Sequence, residues 1–346
     1  MQLAEVRNVY DHDGPFATVY LEGRAPTPDA EHQVRLRWDD LRTRLEEAGA
    51  ADETVTALEN AVIVDDITEV QNNGRVLVAN ASGVLLNADW DAAIGAGDAV
   101  YFAQEPELGA FTRERARSVR MLVVIADRTG ATIRRIVAAE EHELNEQAEH
   151  HVSATANASV HKPREGALSH KQIQRRADEE TQQSLREVAD KLDQIAADWR
   201  PDAVVLAGET QGRNKLHDEL SEALQEIAQQ TEHGGTDDDA AEEALAEELR
   251  LIASDVADVR SQELTKRYAH ARAHDYAVEG SEWVVRAAEM GAVETLLFEH
   301  NRSATEEAKV LGASVKVDAS LGLLSSDVED GVAAVLRFEA PDELKK

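Results

Sequence analysis

The sequence contains no cysteine among its 346 residues. Disulfide bonds, thiolate catalysis and cysteine-based zinc sites are therefore excluded. No run of eighteen apolar residues occurs, so no transmembrane helix is predicted. The first residues lack the basic-then-apolar order of a signal peptide. We therefore expect a soluble cytoplasmic protein with no membrane association and no disulfide partners.

Basic residues are scarce. The chain has 36 Lys and Arg, of which nine are lysine, against 68 Asp and Glu, giving a formal net charge of -32. Such self-repulsion opposes compaction in dilute salt but is screened near 1 M, where the Debye length is about 3 Å. The composition therefore predicts a halophilic, archaeal protein. A disordered acidic protein is disfavoured because apolar periodicity runs through most of the chain.

The length predicts two or three domains, and alternating strands and helices predict a multidomain α/β fold. The predicted domains are residues 1–114, 115–232 and 240–346, joined by a polar linker over residues 231–241. Predicted strands cover residues 16–21, 75–80, 83–87, 100–103, 121–126, 131–138, 203–207, 293–298, 313–317 and 332–338. Predicted helices cover residues 30–48, 215–230, 241–275, 281–290 and 303–311, besides a long helix from Ser169 to Pro201. The first domain carries no recognisable motif, so its role is not predicted.

A polar stretch over residues 139–167 lacks periodicity and reads as a long mobile loop. Five histidines lie in or beside it, namely His142, His150, His151, His161 and His170. A metal site is the alternative interpretation, but no His-Glu-x-x-His pair occurs on a predicted helix. A solvated loop without metal is therefore favoured.

The turn from Gly208 to Lys215 lies between a predicted strand and a predicted helix. Its second glycine comes one residue too early for a phosphate loop, and no Lys-Ser/Thr pair follows. The pattern favours an ordinary strand-to-helix turn. The backbone N–H groups at that helix start are a second candidate, as a site for an RNA phosphate.

The segment from Gly166 to Arg176 carries the strongest candidate site. Ser169 and Gln172 form a Ser-x-x-Gln capping box, which predicts a helix start. Gln172 is thus either a capping residue or part of a polar tip that a long loop delivers to a partner. In the second interpretation the arginines that follow meet phosphates.

The order of elements over residues 117–230 resembles the RNase H-like middle domain of archaeal and eukaryotic peptide chain release factor subunit one. In that family a long loop ends in Gly-Gly-Gln and leads into a helix with an Arg-aromatic-x-Arg pattern, of which Arg175 matches one position. The closing residues 331–338, Gly-Val-Ala-Ala-Val-Leu-Arg-Phe, are similar to the end of the family's α/β C-terminal domain. No Asn-Ile-Lys-Ser-like stop-codon motif occurs.

A related variant is the bacterial and archaeal release-factor-like group, whose loop resembles Gly-Gly-Trp-Ser-Gln. Gly166 and Ser169 match this loop, and His170 occupies the position of its glutamine. When the segment is aligned with Gly-Gly-Gln instead, Leu168 occupies the position of the glutamine. The resemblance implies that the ribosome and tRNA are partners and that no cofactor is needed. The oligomeric state is not predicted. It implies catalytic roles for Gly166, His170 and Gln172 and RNA binding by Lys171, Arg175 and Arg176.

Three functions stay open at the level of sequence. The first is peptidyl-tRNA hydrolysis, in ribosome rescue or peptide release. The second is binding-only rescue of ribosomes, as by Pelota, because the expected glutamine is replaced. The third is a stand-alone metal-dependent hydrolase that uses the histidine-rich loop.

Overall fold

In the computed structural model, the described residues are 1–22, 29–63, 74–90, 97–126, 130–138, 144–153, 170–234 and 239–344, with the backbone alone for residues 30–31, 130, 145, 153, 170–181 and 239. These residues form thirteen strands in three sheets and ten α-helices. The strands are β1 Phe16–Leu21, β2 Arg75–Asn80, β3 Gly83–Asp89, β4 Ala99–Ala103, β5 Val119–Ala126, β6 Gly130–Ala138, β7 Asn145–Ser153, β8 Ala203–Gly208, β9 Ala228–Gln230, β10 Ala277–Glu279, β11 Val293–Glu299, β12 Ser320–Leu324 and β13 Val332–Leu336. The helices are α1 Arg7–Tyr10, α2 Ala30–Glu47, α3 Asp52–Val62, α4 Gly109–Arg117, α5 His170–Trp199, α6 Thr210–Glu219, α7 Glu222–Glu226, α8 Asp239–Ala273, α9 Ser281–Glu289 and α10 Glu307–Val315. The predicted α/β class is confirmed.

The first sheet has the order β3-β2-β1-β4, and its strand pairs are antiparallel. Every residue of β1 is buried, because the strand lies inside the sheet. Helix α2 packs Val34, Trp38, Leu41 and Leu45 into the core on one face. These residues recur at intervals of three and four, which is the period of a helix face.

The last sheet has the order β10-β13-β11-β12, in which β11 and β12 run parallel. Its core is continuous with residues from the start of the chain, such as Leu3, Val9 and Phe16. Residues 1–117 and 258–346 accordingly form one compact unit. The first unit is therefore built from two separated stretches of the chain.

Residues 118–257 form the second compact unit around the five-stranded sheet β7-β6-β5-β8-β9. Strands β5 and β8 are parallel, and β5, β6 and β7 form an antiparallel meander. Helix α5 packs on one face of this sheet through residues such as Leu185 and Leu192. The other face is covered by Leu245 and Leu249 from the first half of α8.

Two predicted elements are corrected. Residues 313–317 belong largely to α10 rather than to a strand, because Val310, Leu311, Ser314 and Val315 form one buried helical face. The strand lies later, at β12. The helix predicted over residues 215–230 begins earlier, at Thr210, and gives way to α7 and β9.

The middle of the predicted loop 139–167 is also corrected, because residues 145–153 form the edge strand β7. Residues 139–143 and 154–169 lie outside the described part of the chain, as do residues 235–238 of the predicted linker. The division into three sequential domains stays a prediction. The structure gives each predicted domain a sheet of its own, while its two compact units group the first and last sheets. No helix in the described ranges is long and apolar enough to cross a membrane.

Candidate functional site

Helix α5 presents the segment that the sequence singled out, and its carboxyl end is firmly anchored. Pro201 follows the helix, and Arg200 adopts the left-handed conformation that ends it, with φ of 51°. The backbone N–H of Asp202 then donates to the carbonyl of Arg120 (2.8 Å), and the Asp202 carboxylate accepts from the Arg120 N–H (2.9 Å). This pair of hydrogen bonds fixes the end of α5 against the start of β5.

The second half of α5 holds the helix on the sheet. Leu185, Val188, Leu192 and Ile195 are buried at helical spacing against β5, β6 and β8. Near its middle, Gln182 donates to Glu219 Oε1 (2.8 Å) and Arg186 donates to Glu219 Oε2 (3.0 Å). These two hydrogen bonds lower the pKa of the Glu219 carboxyl, with Gln182 the larger contributor. The helix is thus also tied to the end of α6.

The first turns of α5 contain five of the six predicted site residues. The helix begins at His170, so His170, Lys171, Gln172, Arg175 and Arg176 follow one another on one helical backbone. At 1.5 Å per residue, His170 lies about 22 Å along the axis from Leu185, the first buried leucine of the helix. The predicted helix start is confirmed. Gly166 and the proposed capping residue Ser169 lie outside the described residues.

The charge at this helix start is unusual. The first turn contains no acidic residue, and Lys171, Arg175 and Arg176 fall within two turns of it. A helix amino terminus carries the positive end of the macrodipole and favours anions, whereas cations there are unfavourable. The charges of the basic residues and the helix dipole are therefore both positive at this end of α5, and together they favour binding of a polyanion. It stands out in a chain whose net charge is -32.

The histidines beside this segment are not gathered into a metal site in the part of the chain that is described. His150 and His151 are neighbours on β7, so their side chains lie on opposite faces of the sheet. His151 contacts Thr132 Oγ1 through Nδ1 (3.1 Å) and Glu149 Oε1 through Nε2 (2.9 Å). His142 and His161 lie outside the described residues, and His170 begins α5.

Strand β7 is held by charge pairs and polar contacts in addition to the packing of Val152 on the core. Arg134 of β6 donates to Glu149 of β7 (2.9 Å) and to Glu242 of α8 (2.8 Å). Glu242, the larger contributor, and Glu149 raise the pKa of the Arg134 guanidinium. Gln147 accepts from Trp199 Nε1 at the end of α5 (3.3 Å). These contacts explain why such a polar segment forms a strand.

Sequence reasoning missed Arg213, which is buried in the first turn of α6. The only sequence signal is its spacing of three and seven residues from the apolar Leu216 and Leu220, which places all three on one helix face. An arginine on a buried face is too uncommon for this spacing to predict burial.

The comparisons with known proteins agree with the sequence resemblance. Residues 120–274 match the model of the bacterial archaeo-eukaryotic release factor family 2. Proteins from two Mycobacterium tuberculosis strains, CDC 1551 and H37Rv, both described as uncharacterized, are 27% identical over 343 residues, covering 93% of this chain and 84% of theirs.

Similar solved structures include Saccharomyces cerevisiae Dom34, described as a translation termination-like factor, with 10% identity, 99% and 94% coverage of the two chains and a TM-score of 0.44. Archaeal Pelota, from a model of its ribosome-bound state, has 14% identity, 98% and 95% coverage and a TM-score of 0.43. The archaeal translation termination factor has 16% identity, 98% and 99% coverage and a TM-score of 0.27.

The family match spans the second unit, including β5, β8, helix α5 and the predicted site residues. It continues through α8 as far as residue 274. The resemblance predicted from the sequence is thereby confirmed for residues 120–274, which are similar to the bacterial archaeo-eukaryotic release factor family 2.

Proposed function

We propose that this protein associates with the ribosome and hydrolyses peptidyl-tRNA, with the start of α5 as its reacting end. The observation that carries the proposal is the family match over residues 120–274, which includes both the predicted loop tip and the basic helix start. A ribosomal substrate also fits the cluster of Lys171, Arg175 and Arg176, because tRNA presents phosphates to it.

In the proposed reaction, water attacks the ester carbonyl carbon that joins the peptide to the tRNA. The ester C–O bond breaks, the peptide leaves as a carboxylic acid, and the tRNA regains its hydroxyl. Gly166 permits close approach of the backbone to the tRNA end. His170 or Gln172 positions the water by hydrogen bonding, and the His170 imidazole is the group able to accept its proton near pH 7. Arg175 and Arg176 hold phosphates as charged forks, and Lys171 as a point charge.

The test uses stalled ribosomes carrying labelled peptidyl-tRNA, in molar KCl. Wild-type protein is expected to release the peptide, and His170→Ala to act about a hundredfold more slowly, the lower range for a lost acid–base group. His32→Ala is the matched control, because His32 is exposed on α2 in the other compact unit. Equal rates for wild type and His170→Ala would remove His170 from the reaction.

Gln172→Ala needs a control for its capping role. Gln183→Ala makes the same change at an exposed position of the same helix. A slower reaction of Gln172→Ala with an unchanged melting temperature supports a role in positioning water. If the rate falls and the melting temperature also falls by several degrees, Gln172 acts as a helix cap.

Binding-only rescue is the alternative outcome of the same assay. It is favoured by one observation, the absence of the family's glutamine at its expected position, where His170 or Leu168 stands. Wild-type protein that sediments with stalled ribosomes but leaves peptidyl-tRNA intact would establish this alternative. Absence from every ribosomal fraction would reject both.

A further inference from the structure

The turn that leads from β8 into α6 leaves a helix amino terminus open to solvent. Gly208 adopts φ of 94°, and the N–H of Glu209 donates to the carbonyl of Ala126 (3.1 Å). Helix α6 then begins at Thr210, and its preceding residue Glu209 makes no side-chain capping hydrogen bond. Residues 209–211 are exposed. The first N–H groups of α6 therefore have no cap from the Glu209 side chain, and Thr210 and Gln211 are exposed at the helix start.

A buried cation lies in this same first turn. The Arg213 side chain is only 5% exposed, and its guanidinium donates to Thr210 Oγ1 (3.2 Å). Its Nε is buried and has no hydrogen-bond partner among the described residues. Within the described ranges, no carboxylate lies within ion-pair distance of it. The guanidinium therefore contacts the helix start, and no carboxylate of the described residues is paired with its charge.

This arrangement is energetically unfavourable in isolation. A buried charge is costly unless it is paired and hydrogen-bonded, and most buried arginines have a carboxylate partner. Here the positive end of the α6 macrodipole adds to the charge of Arg213 rather than offsetting it. The missing counter-charge is an anion at the opening of the first turn, where the free N–H groups and the Thr210 hydroxyl are available to it.

The geometry points to a phosphate-binding site formed by the backbone N–H groups of residues 210–212, the Thr210 hydroxyl and the Arg213 guanidinium. The site lies at the carboxyl end of β8, beside that of the parallel strand β5, which is where α/β sheets commonly bind ligands. A tetrahedral oxyanion matches the combination of helix N–H groups and an arginine fork. The RNA backbone is the source of the phosphate, an assignment that rests on the proposed function.

The decisive variant is Thr210→Glu. It places a carboxylate in the first turn of α6, where an acidic residue stabilises the helix but repels a bound anion. Thr43→Glu on α2 is the matched control, because Thr43 is also exposed on a helix and the net charge changes equally. Inorganic phosphate is titrated at constant ionic strength against KCl, following the amide signals of residues 210–212 and the Arg213 Nε–H signal by NMR. Thr210→Glu is expected to weaken phosphate binding about tenfold or more, and Thr43→Glu to leave it unchanged.

A second variant guards against a folding artefact. Arg213→Gln removes the buried charge and is expected to weaken phosphate binding while keeping or raising the melting temperature, since an unpaired buried cation is unfavourable. Equal phosphate affinity of wild type and Thr210→Glu, or of wild type and Arg213→Gln, would overturn the site.

The source of the phosphate is tested separately with tRNA. Competition between tRNA and inorganic phosphate in the wild type, lost in Thr210→Glu, supports the RNA assignment. Binding of inorganic phosphate without such competition would overturn that assignment and leave a site for free phosphate. Ribosome sedimentation that is unaffected by Thr210→Glu, together with no phosphate binding, would refute this site while the proposed function stands. Phosphate binding by a protein absent from all ribosomal fractions would refute the function instead.

Discussion

Substitution of Arg113 by methionine is expected to loosen the whole first compact unit. Arg113 of α4 donates to both carboxylate oxygens of Glu307 on α10, through Nε (2.8 Å) and a terminal nitrogen (2.9 Å). Its third donor reaches the carbonyl of Glu299 (2.7 Å), and the guanidinium lies 4.6 Å from the centre of the Phe298 ring. The two side chains are about one-tenth exposed, and they join residues 194 positions apart.

The magnitude follows from what Arg113→Met leaves behind. Glu307 retains the N–H of Ala304 (2.7 Å) but loses its buried cation. Breaking a buried ion pair by removing one partner costs about 3–5 kcal/mol, because a charge stays buried and uncompensated. The control Arg42→Met removes exposed contacts to Glu46 and Glu59, which contribute little to stability because solvent screens them. The double variant Arg113→Met/Glu307→Gln should regain part of the loss, since the orphaned charge is gone.

Hydrogen exchange followed by mass spectrometry in molar KCl measures this prediction locally. A loss of 3–5 kcal/mol accelerates exchange through unit opening by roughly a hundredfold to several thousandfold. The acceleration should appear together in β1 and β2 and in β11 and β13, because these strands share one core. Faster exchange confined to one of the two sheets, or an effect no larger than that of Arg42→Met, would refute the reasoning.

Three further predictions concern stability. Burial, and to a lesser extent the charge of Glu307, raises the pKa of the Glu107 carboxyl. The folded state therefore binds this proton more tightly than the unfolded state does. Stability consequently falls as the pH rises from about 4 through the raised pKa of the folded state. Glu107→Gln should therefore melt higher than wild type at pH 7 and match it near pH 4; parallel melting curves across this range would contradict the assignment. Gly208→Ala should lower the free energy of unfolding of the second unit by more than about 3 kcal/mol, because the new Cβ would lie 2.3 Å from the Ala126 carbonyl oxygen. The control Gly49→Ala has a similar φ but nothing within 4 Å of its Cβ, so backbone strain should lower stability by only about 1–3 kcal/mol. Urea unfolding measures both variants. Lowering the KCl concentration from 2 M to 0.1 M should lower the melting temperature. The reason is that the Debye length grows to about 10 Å at 0.1 M, so the net charge of -32 is less screened. Equal melting temperatures at both concentrations would contradict the halophilic interpretation.

Buried strands with regular patterns were predictable from the sequence. Strand β1 occupies the predicted residues, and β5 and β6 extend theirs by only one or two, because their apolar runs lie inside sheets. Strand β12 was missed because its sequence, Ser-Leu-Gly-Leu-Leu, does not alternate between polar and apolar residues. The strand pairs with β11, and the Leu264 side chain packs on its Gly322. Strand β7 was missed because most of its residues are polar, and the ladder with β6, the Arg134 contacts and the Trp199–Gln147 hydrogen bond that stabilise it are not visible in a local pattern.

The candidate site was predictable in part. The helix start predicted at residue 169 agrees with the observed start at His170, and the stripe of Leu185, Val188 and Leu192 located the buried face of α5. The position of Arg213 was not predictable, since burial of a cation depends on how α6 meets the sheet and not on local pattern. Likewise, no sequence pattern shows that residues 1–117 and 258–346 share a core, because that contact joins the two ends of the chain.

The discontinuity of the first unit has a consequence for biosynthesis. When residue 117 has been made, the apolar faces of β1, β2 and α1 still lack β11 and β13, which complete their core. At 5–20 residues per second, the ribosome needs on the order of ten seconds or more to make the intervening second unit and the remaining strands. The second unit is complete once residue 257 has been made and is able to fold during this interval, whereas the apolar faces of the first segment stay uncovered. Pausing of translation between residues 118 and 336 should therefore expose the nascent chain to chaperone binding at its oldest part.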